Sequence, residues 1–394
     1  MSKRRGAGAT GTHMAKTSKR KASKAAAKKA VPKKATKQVA RPAKRAAKAA
    51  AVPASGPLTL DEARALAYAK RPKMAARKAA LPAATPGTVG LERKKLEQER
   101  KAEIARRVRE YKDTMSLMKR RGARRPARKA GEPTEGGPAM AAPSFAPLQI
   151  FAEGDSWFDY PPFLLKGGVI PRLERRLGVP ILNLAKAGDE VRYMLGVKER
   201  TLLAEYLTDG CPAGGPWDVL LFSGGGNDIV DNPMALWVKD WNPALPPEEH
   251  INQPRFTSAL DLVRAGYEDL ITLRDKLSPN THLVFHGYDY AIPDGRGVCF
   301  NALGPWLDPT FKLRGFPNRA AKFAVVKAML KQFAVLLTSL ATAPKVTFIN
   351  AQGTLPEGQT DWWHNELHPS RDGFDKHVDK FQQSLKALFP DRVA

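Results

Sequence analysis

Four short blocks of this 394-residue chain hold side chains able to do chemistry. The first is Gly154-Asp155-Ser156-Trp157, after the apolar run "LQIFAE", and the second runs from Asn183 to Gly188 and Asp189. The third is Gly224-Gly225-Gly226-Asn227-Asp228, and the last is "DWWHNELHPSRDGF", Asp361 to Phe374. A serine hydroxyl is a weak nucleophile at its free pKa. It attacks a carbonyl when an imidazole takes its proton and later returns it to the leaving group. The oxyanion that forms needs donors fixed in advance, backbone N–H groups or a side-chain amide. The four blocks together contain each of these residue types. Singly they have plainer uses: Ser beside Asp and Gly caps a turn, Gly after a strand serves backbone geometry, and Asn pairs loop backbone. Zinc chemistry does not fit His364 and His368, because the helical metalloprotease pattern needs Glu directly after the first His and no Pro after the second. "SGGGND" lacks the Gly-Lys-Ser/Thr ending of a phosphate-cradling loop.

Blocks so far apart in sequence meet only if strands bring their ends together. Short apolar runs at Leu148–Ala152, Ile181–Leu184, Asp218–Ser223, His282–His286 and Val346–Asn350 are expected strands. Helical patterns fall near 168–177, 190–207, 257–277, 318–341 and 371–388. Strands alternating with helices imply right-handed crossovers and an α/β fold, a flavodoxin-like three-layer α/β/α sandwich on a five-stranded parallel sheet. Ligands of such sheets bind beyond the carboxyl ends of the strands, where these blocks lie.

The formal charge of +26 is confined to the N-terminal third: residues 1–60 hold 17 Lys and Arg and no acid, whereas the chain beyond residue 147 is slightly acidic. Residues 1–58 are Lys, Ala and Pro with little else, too poor in apolar surface to offset ordering entropy, and are expected to be a disordered tail. Met1 to Met14 carry no structural weight. A polycation of this kind suits a polyphosphate, through release of counterions. Nucleic acid or another polyanion is therefore the expected partner of residues 1–130, with a solvated tail as the plainer alternative. Residues 59–146 are expected to form a basic helical segment and a Gly/Pro linker. Thr59 can cap a short helix, and "LERKKLEQERKAEIARRVREYKDTMSLMKRR" pairs acids with bases along an exposed charged helix. Its apolar stripe of Leu96, Ile104, Val108, Tyr111 and Met115 is thin, so a lone solvated helix is favoured over a partner seat. The linker "GEPTEGGPAMAAPSFAP" places a domain boundary near 146 and a catalytic domain at 147–394. Two cysteines, Cys211 and Cys299, no signal-like apolar segment and no run of 18 apolar residues make a cytoplasmic location the expectation, with no transmembrane segment.

In order and in position at strand ends, the blocks resemble the SGNH branch of the GDSL hydrolases, esterases and lipases, over about residues 148–388. The tail resembles linker-histone and bacterial Lys/Ala/Pro-rich DNA-binding tails in composition. The hydrolase resemblance implies Ser156 as nucleophile, His368 as base, and an oxyanion hole from the Ser156 and Gly188 N–H groups and the Asn227 amide, with no cofactor and no metal. One position departs from the family, which usually has Asp three residues before the His: here it is Asn365. Asn can orient an imidazole but supplies no charge to stabilise imidazolium. Asp361 or Glu366 could fold back onto the ring, or a Ser-His dyad could work with a backbone carbonyl; Asn365 is expected in the orienting place, with Asp361 the charged candidate. Glu366 is poorly placed, since in an extended segment an offset of two sets it beside His368 on one face.

Two long stretches, Asn232 to Arg255 and Gly287 to Asn318, leave strand ends rich in aromatic residues and Pro. Trp237, Trp241, Tyr288, Tyr290, Trp306 and Phe311 could line a pocket or pack over the core, while Trp157, Asp155 and Tyr288 are the expected substrate-binding residues. The expected function is a serine hydrolase of carboxylic esters or thioesters, tethered to a polyanion such as nucleic acid, a granule or an acidic surface. The alternative is a histone-like packaging protein with an idle hydrolase-fold domain.

Overall fold

The computed structural model describes residues 55–69, 89–124, 145–161, 165, 167–298 and 303–393. Almost all of the basic tail, part of the Gly/Pro linker and Cys299 lie outside them. Two helices come first, α1 (Leu60–Ala69) and α2 (Val89–Arg121). The sheet follows in the order β2-β1-β3-β4-β5, built from β1 (Ile150–Gly154), β2 (Ile181–Asn183), β3 (Val219–Ser223), β4 (His282–His286) and β5 (Val346–Ile349), every pair parallel. Every residue of β1 and β3 is buried, as near-continuous apolar runs covered on both faces must be. Helix α3 (Val169–Leu177) packs beside α9 (Arg371–Leu388), and α6 (Gln253–Leu277) packs beside α4 (Val191–Met194), α5 (Val197–Asp209) and α8 (Arg319–Leu340). The remaining helix, α7 (Asp308–Leu313), lies in the long connection between β4 and α8.

The strands agree with those expected to within two residues at each end. The single helix expected over 190–207 is two helices instead, broken at Gly196, where a Cβ would press on the carbonyl oxygens of Tyr193 at 3.1 Å and Arg192 at 3.2 Å. Helix α8 is, among the described residues, the one long and apolar enough to cross a membrane by length and composition. One side of it is in the core, with Val325, Met329, Phe333 and Leu337 buried.

The N-terminal helices are not a separate appendage. Tyr111 and Met115 of α2 are buried in the same apolar core as the sheet, with Ile104 and Val108 packed against it; Leu96 alone of the expected stripe is exposed. Helix α1 opens on a reciprocal cap, Thr59 Oγ1 accepting from the Glu62 N–H at 3.3 Å and Glu62 returning to the Thr59 N–H at 2.8 Å. Its buried Leu60, Ala63 and Ala67 meet Leu117 and Met118 of α2. The described residues from 55 onward therefore form one compact unit, and the boundary expected near 146 falls inside it. The solvated lone helix expected at 91–121 is corrected likewise, because four apolar residues on one face are enough to seat it.

Candidate active site

The sheet order places β1 between β2 and β3, so connections leave β1 and β3 in opposite senses and a crevice opens above their carboxyl ends. Gly154 at the end of β1 pairs with Ser223 at the end of β3. A Cβ on Gly154 would lie 2.6 Å from the Ser223 carbonyl oxygen, so only glycine permits this approach. The chain then turns sharply, the Phe158 and Asp159 N–H groups both donating to the Asp155 carbonyl. The buried Asp155 carboxyl accepts from the Trp157 N–H at 2.9 Å, the Ser223 hydroxyl at 2.8 Å and the Tyr288 hydroxyl. Burial nonetheless pushes it up to about 6, against the pull of these hydrogen bonds. Ser156 is left half-buried at the head of the turn.

Across the crevice, residues 362–370 form a tight loop. Ser370 N–H donates to the Trp362 carbonyl at 2.7 Å and His364 N–H to the His368 carbonyl at 2.9 Å, and Ser370 caps α9 through the Gly373 N–H. The loop presents His368, whose Nε2 lies 2.6 Å from Ser156 Oγ. His368 Nδ1 lies 2.9 Å from Asn365 Oδ1, which also accepts from the Leu367 and His368 N–H groups at 2.9 Å each. Three donors on one oxygen fix the amide orientation, and its Nδ2 donates to Tyr160 Oη at 3.3 Å. A carbonyl oxygen only accepts, so Nδ1 carries the proton and Nε2 offers its lone pair to the Ser156 hydroxyl. Burial, with a smaller contribution from His364, lowers His368 to about 3 and keeps the ring neutral. Trp157 Nε1 donates to the Leu367 carbonyl at 3.1 Å and so latches the serine turn to the histidine loop.

Neither carboxylate near the histidine reaches it. Asp361, the expected charged candidate, is exposed in the 3-10 turn Thr360–Trp362, and the inward Nδ1 is already held by Asn365. Glu366 is buried but points away, accepting from four backbone N–H groups: Gly295 at 2.9 Å, Trp306 at 2.6 Å, Leu307 at 2.7 Å and Asp308 at 3.0 Å. It clamps the 287–318 connection and caps the first turn of α7.

Asn227 starts a 3-10 turn after β3 and donates through Nδ2 to the Asp189 carbonyl at 2.8 Å, fixing its amide beside the Gly188 loop, with no acceptor for its second N–H among the described residues. Gly188 has φ +80°, and a Cβ there would meet nothing within 4 Å. Its glycine is thus set by left-handed backbone, not by crowding within the chain. No acceptor for the Ser156 or Gly188 N–H is found among the described residues.

Helix α2 braces both loops from behind. Arg107 donates to the Asn183 carbonyl at 3.0 Å and the Ala185 carbonyl at 3.2 Å, and pairs with Asp159 of the serine turn at 2.8 Å. Arg100, one heptad earlier, donates to the Leu184 and Ala185 carbonyls. Tyr160, Ser223 and Arg100 were not singled out in the sequence, and Arg107 only as a base paired with Glu103 along the helix, a pair the structure holds at 2.5 Å. A signal for the arginines exists, since 100, 104, 107, 108 and 111 share one helical face.

A small cavity of about 40 Å³ opens at Ser156, Asn227 and His368 and is bordered also by Asp155, Trp157 and Tyr288. The three expected substrate-binding residues therefore adjoin it, but Asp155 and the Tyr288 hydroxyl are committed to each other. Most of the aromatic residues of the long connections serve packing: Trp237 against Phe256, Trp241 against His250 and Phe316, and Phe311 against Phe316. Trp306 lies 5.9 Å from the His368 ring, centroid to centroid. Among the described residues no three His, Cys, Asp or Glu side chains converge as a metal site would.

A hydroxyl hydrogen-bonded to a neutral imidazole, with backbone and amide N–H groups nearby at the switch point of a parallel sheet, is the layout of a serine-dependent acyl-transfer site. No family model and no curated protein matches the chain. Solved structures similar to it include GDSL- and SGNH-type lipases and esterases and a salicylyl-acyltransferase. A lipase, Lip_vut3, from a goat rumen metagenome is 16% identical with a TM-score of 0.40, the match covering 60% of this chain and 97% of that one. An extracellular lipase from Streptomyces rimosus is 16% identical with a TM-score of 0.38, covering 60% and 99%. A family 3 carbohydrate esterase from Clostridium thermocellum is 17% identical with a TM-score of 0.35, covering 61% and 98%.

Proposed function

We propose that this protein is a serine hydrolase acting on carboxylic esters or thioesters. The observation that carries this is the 2.6 Å contact of Ser156 Oγ with His368 Nε2, on a ring whose Nδ1 is held by Asn365. His368 takes the Ser156 proton as Oγ attacks the carbonyl carbon. The oxyanion is met by the Ser156 and Gly188 N–H groups and the free N–H of Asn227. His368 then protonates the leaving alcohol or thiol, and water, deprotonated by the same ring, releases the acid from Ser156. Asn365 keeps the tautomer and ring plane but brings no charge, and neither Asp361 nor Glu366 takes part. The test is Ser156→Ala, which abolishes hydrolysis of a p-nitrophenyl ester and covalent labelling by a fluorophosphonate while the melting temperature is kept. Unchanged turnover would refute the assignment.

The basic arm is proposed as a polyanion tether, supported by the confinement of the excess positive charge to the N-terminal third. Because α2 belongs to the folded unit, the truncation that separates the two roles ends at residue 50. Loss of salt-sensitive DNA binding with esterase activity intact is the expected result.

A further inference from the structure

We infer that Tyr160 acts on the reaction through His368: the π face of its ring stabilises the imidazolium, a charge that no carboxylate of this site balances. This rests on the hydrolase assignment above. When Nε2 takes the Ser156 proton, the His368 ring becomes a cation in a buried place, the residue being 5% exposed. Asn365 meets that cation with a carbonyl dipole alone. Asp361 is exposed, and Glu366 is engaged by four backbone N–H groups. His364, the other titratable side chain that bears on His368, opposes a positive charge there.

The Tyr160 ring lies close against the imidazole, centroids 4.5 Å apart and planes tilted by 47°, nearer than Trp306 at 5.9 Å. That is well inside the roughly 6 Å at which an aromatic face attracts a cation. Two contacts hold the ring in place: Asn365 Nδ2 donates to its Oη at 3.3 Å, and the Phe374 ring lies 6.0 Å away. Tyr160 therefore touches both His368 and the amide that orients it. A neutral imidazole gains little from such a face and an imidazolium gains much. The contact strengthens as the proton moves, so it lowers the barrier instead of tightening the ground state. Water around an exposed cation would cancel most of this attraction, but Tyr160 is 3% exposed and the burial that lowers His368 to about 3 keeps water off the pair.

The experiment replaces Tyr160 in the full chain by phenylalanine and by its mono-, di- and trifluorinated analogues, and measures kcat and KM for p-nitrophenyl acetate alongside fluorophosphonate labelling. All of these lack the hydroxyl and share one shape, while fluorine drains the negative face of the ring stepwise. The expected result is a kcat that falls with each fluorine, to about tenfold or more below Tyr160→Phe in the trifluorinated chain, with KM little changed and the melting temperature kept. Tyr160→Leu, which fills the place with hydrocarbon, should fall below Tyr160→Phe by a similar factor, and this pair decides the matter if the fluorinated chains do not fold. Labelled Ser156 with a kcat equal across the fluorinated series, or equal in Tyr160→Leu and Tyr160→Phe, would overturn the role of the ring and leave the hydrolase intact. Failure of the natural chain to label at all would overturn both.

Discussion

Replacing Asn365 with Asp tests how the imidazole is held. The substitution is nearly isosteric: a carboxylate oxygen accepts the three N–H groups now on Asn365 Oδ1, each at 2.9 Å, and the second oxygen faces Tyr160 Oη. What changes is charge. A unit negative charge about 4 Å from the imidazolium is worth about 4 kcal/mol at an effective dielectric of about 20, or about three pKa units before the cost of burying the carboxylate. His368 should move from about 3 toward the range of about 5 to 6, closer to the working pH, where a general base is most effective. The new charge also stabilises the imidazolium formed in the transition state, so kcat at neutral pH should rise by about tenfold or more. The base works only when unprotonated. The acid limb of the kcat profile therefore moves upward, from about pH 3 in the natural chain to about pH 5 to 6 in Asn365→Asp. Stopped-flow hydrolysis of p-nitrophenyl acetate across pH, with NMR titration of the His368 Cε1 proton, measures both effects. A folded variant with unchanged or lower kcat and an unmoved limb would show that Asn365 does not govern the basicity of His368.

Two further predictions concern residues outside the reacting groups. Arg107→Ala frees the serine turn from the Gly188 loop, and since the N–H groups they carry act on the transition state, kcat should fall about tenfold while KM changes little. Asp159→Ala should act similarly and the double variant should add nothing; additive losses would show the pair to be uncoupled. Glu153, buried in β1, is raised to about 8, so the folded chain holds a proton there that the unfolded chain releases above about pH 4.5. Its contribution is full below pH 4.5 and is lost as pH rises to 8, about 2 kcal/mol of it between pH 6.5 and 8. His286, His368 and His377 are lowered to about 4, 3 and 3, cost stability only below about pH 6.5, and do not mask this window. Thermal melts should fall from pH 6.5 to 8 and then level, and Glu153→Gln should remove that slope; a slope that persists assigns it elsewhere.

The five strands and the four blocks at their ends could be read from sequence because each depends on local pattern: apolar runs of strand length, and Gly, Ser, Asn or His directly after them. Asn365 lies 2.9 Å from His368 Nδ1, and its offset of three from His368 is local too. The use of Glu366 could not be read, because its partners are the N–H groups of residues 295 and 306–308, some sixty to seventy positions away. Helix α2 was expected where it lies, but its seat on the sheet could not be read, for the same reason in sharper form. A sequence shows charged side chains that could pair with one another at i and i+4, and nearby acids make a solvated helix the natural expectation. Arg100 and Arg107 instead give most of their hydrogen bonds to backbone carbonyls at the end of β2, and every residue type carries such a carbonyl. A guanidinium presents five donors in a fixed planar fork, where a lysine has three on one atom, so arginine at both positions one heptad apart is the part of that design the sequence does display.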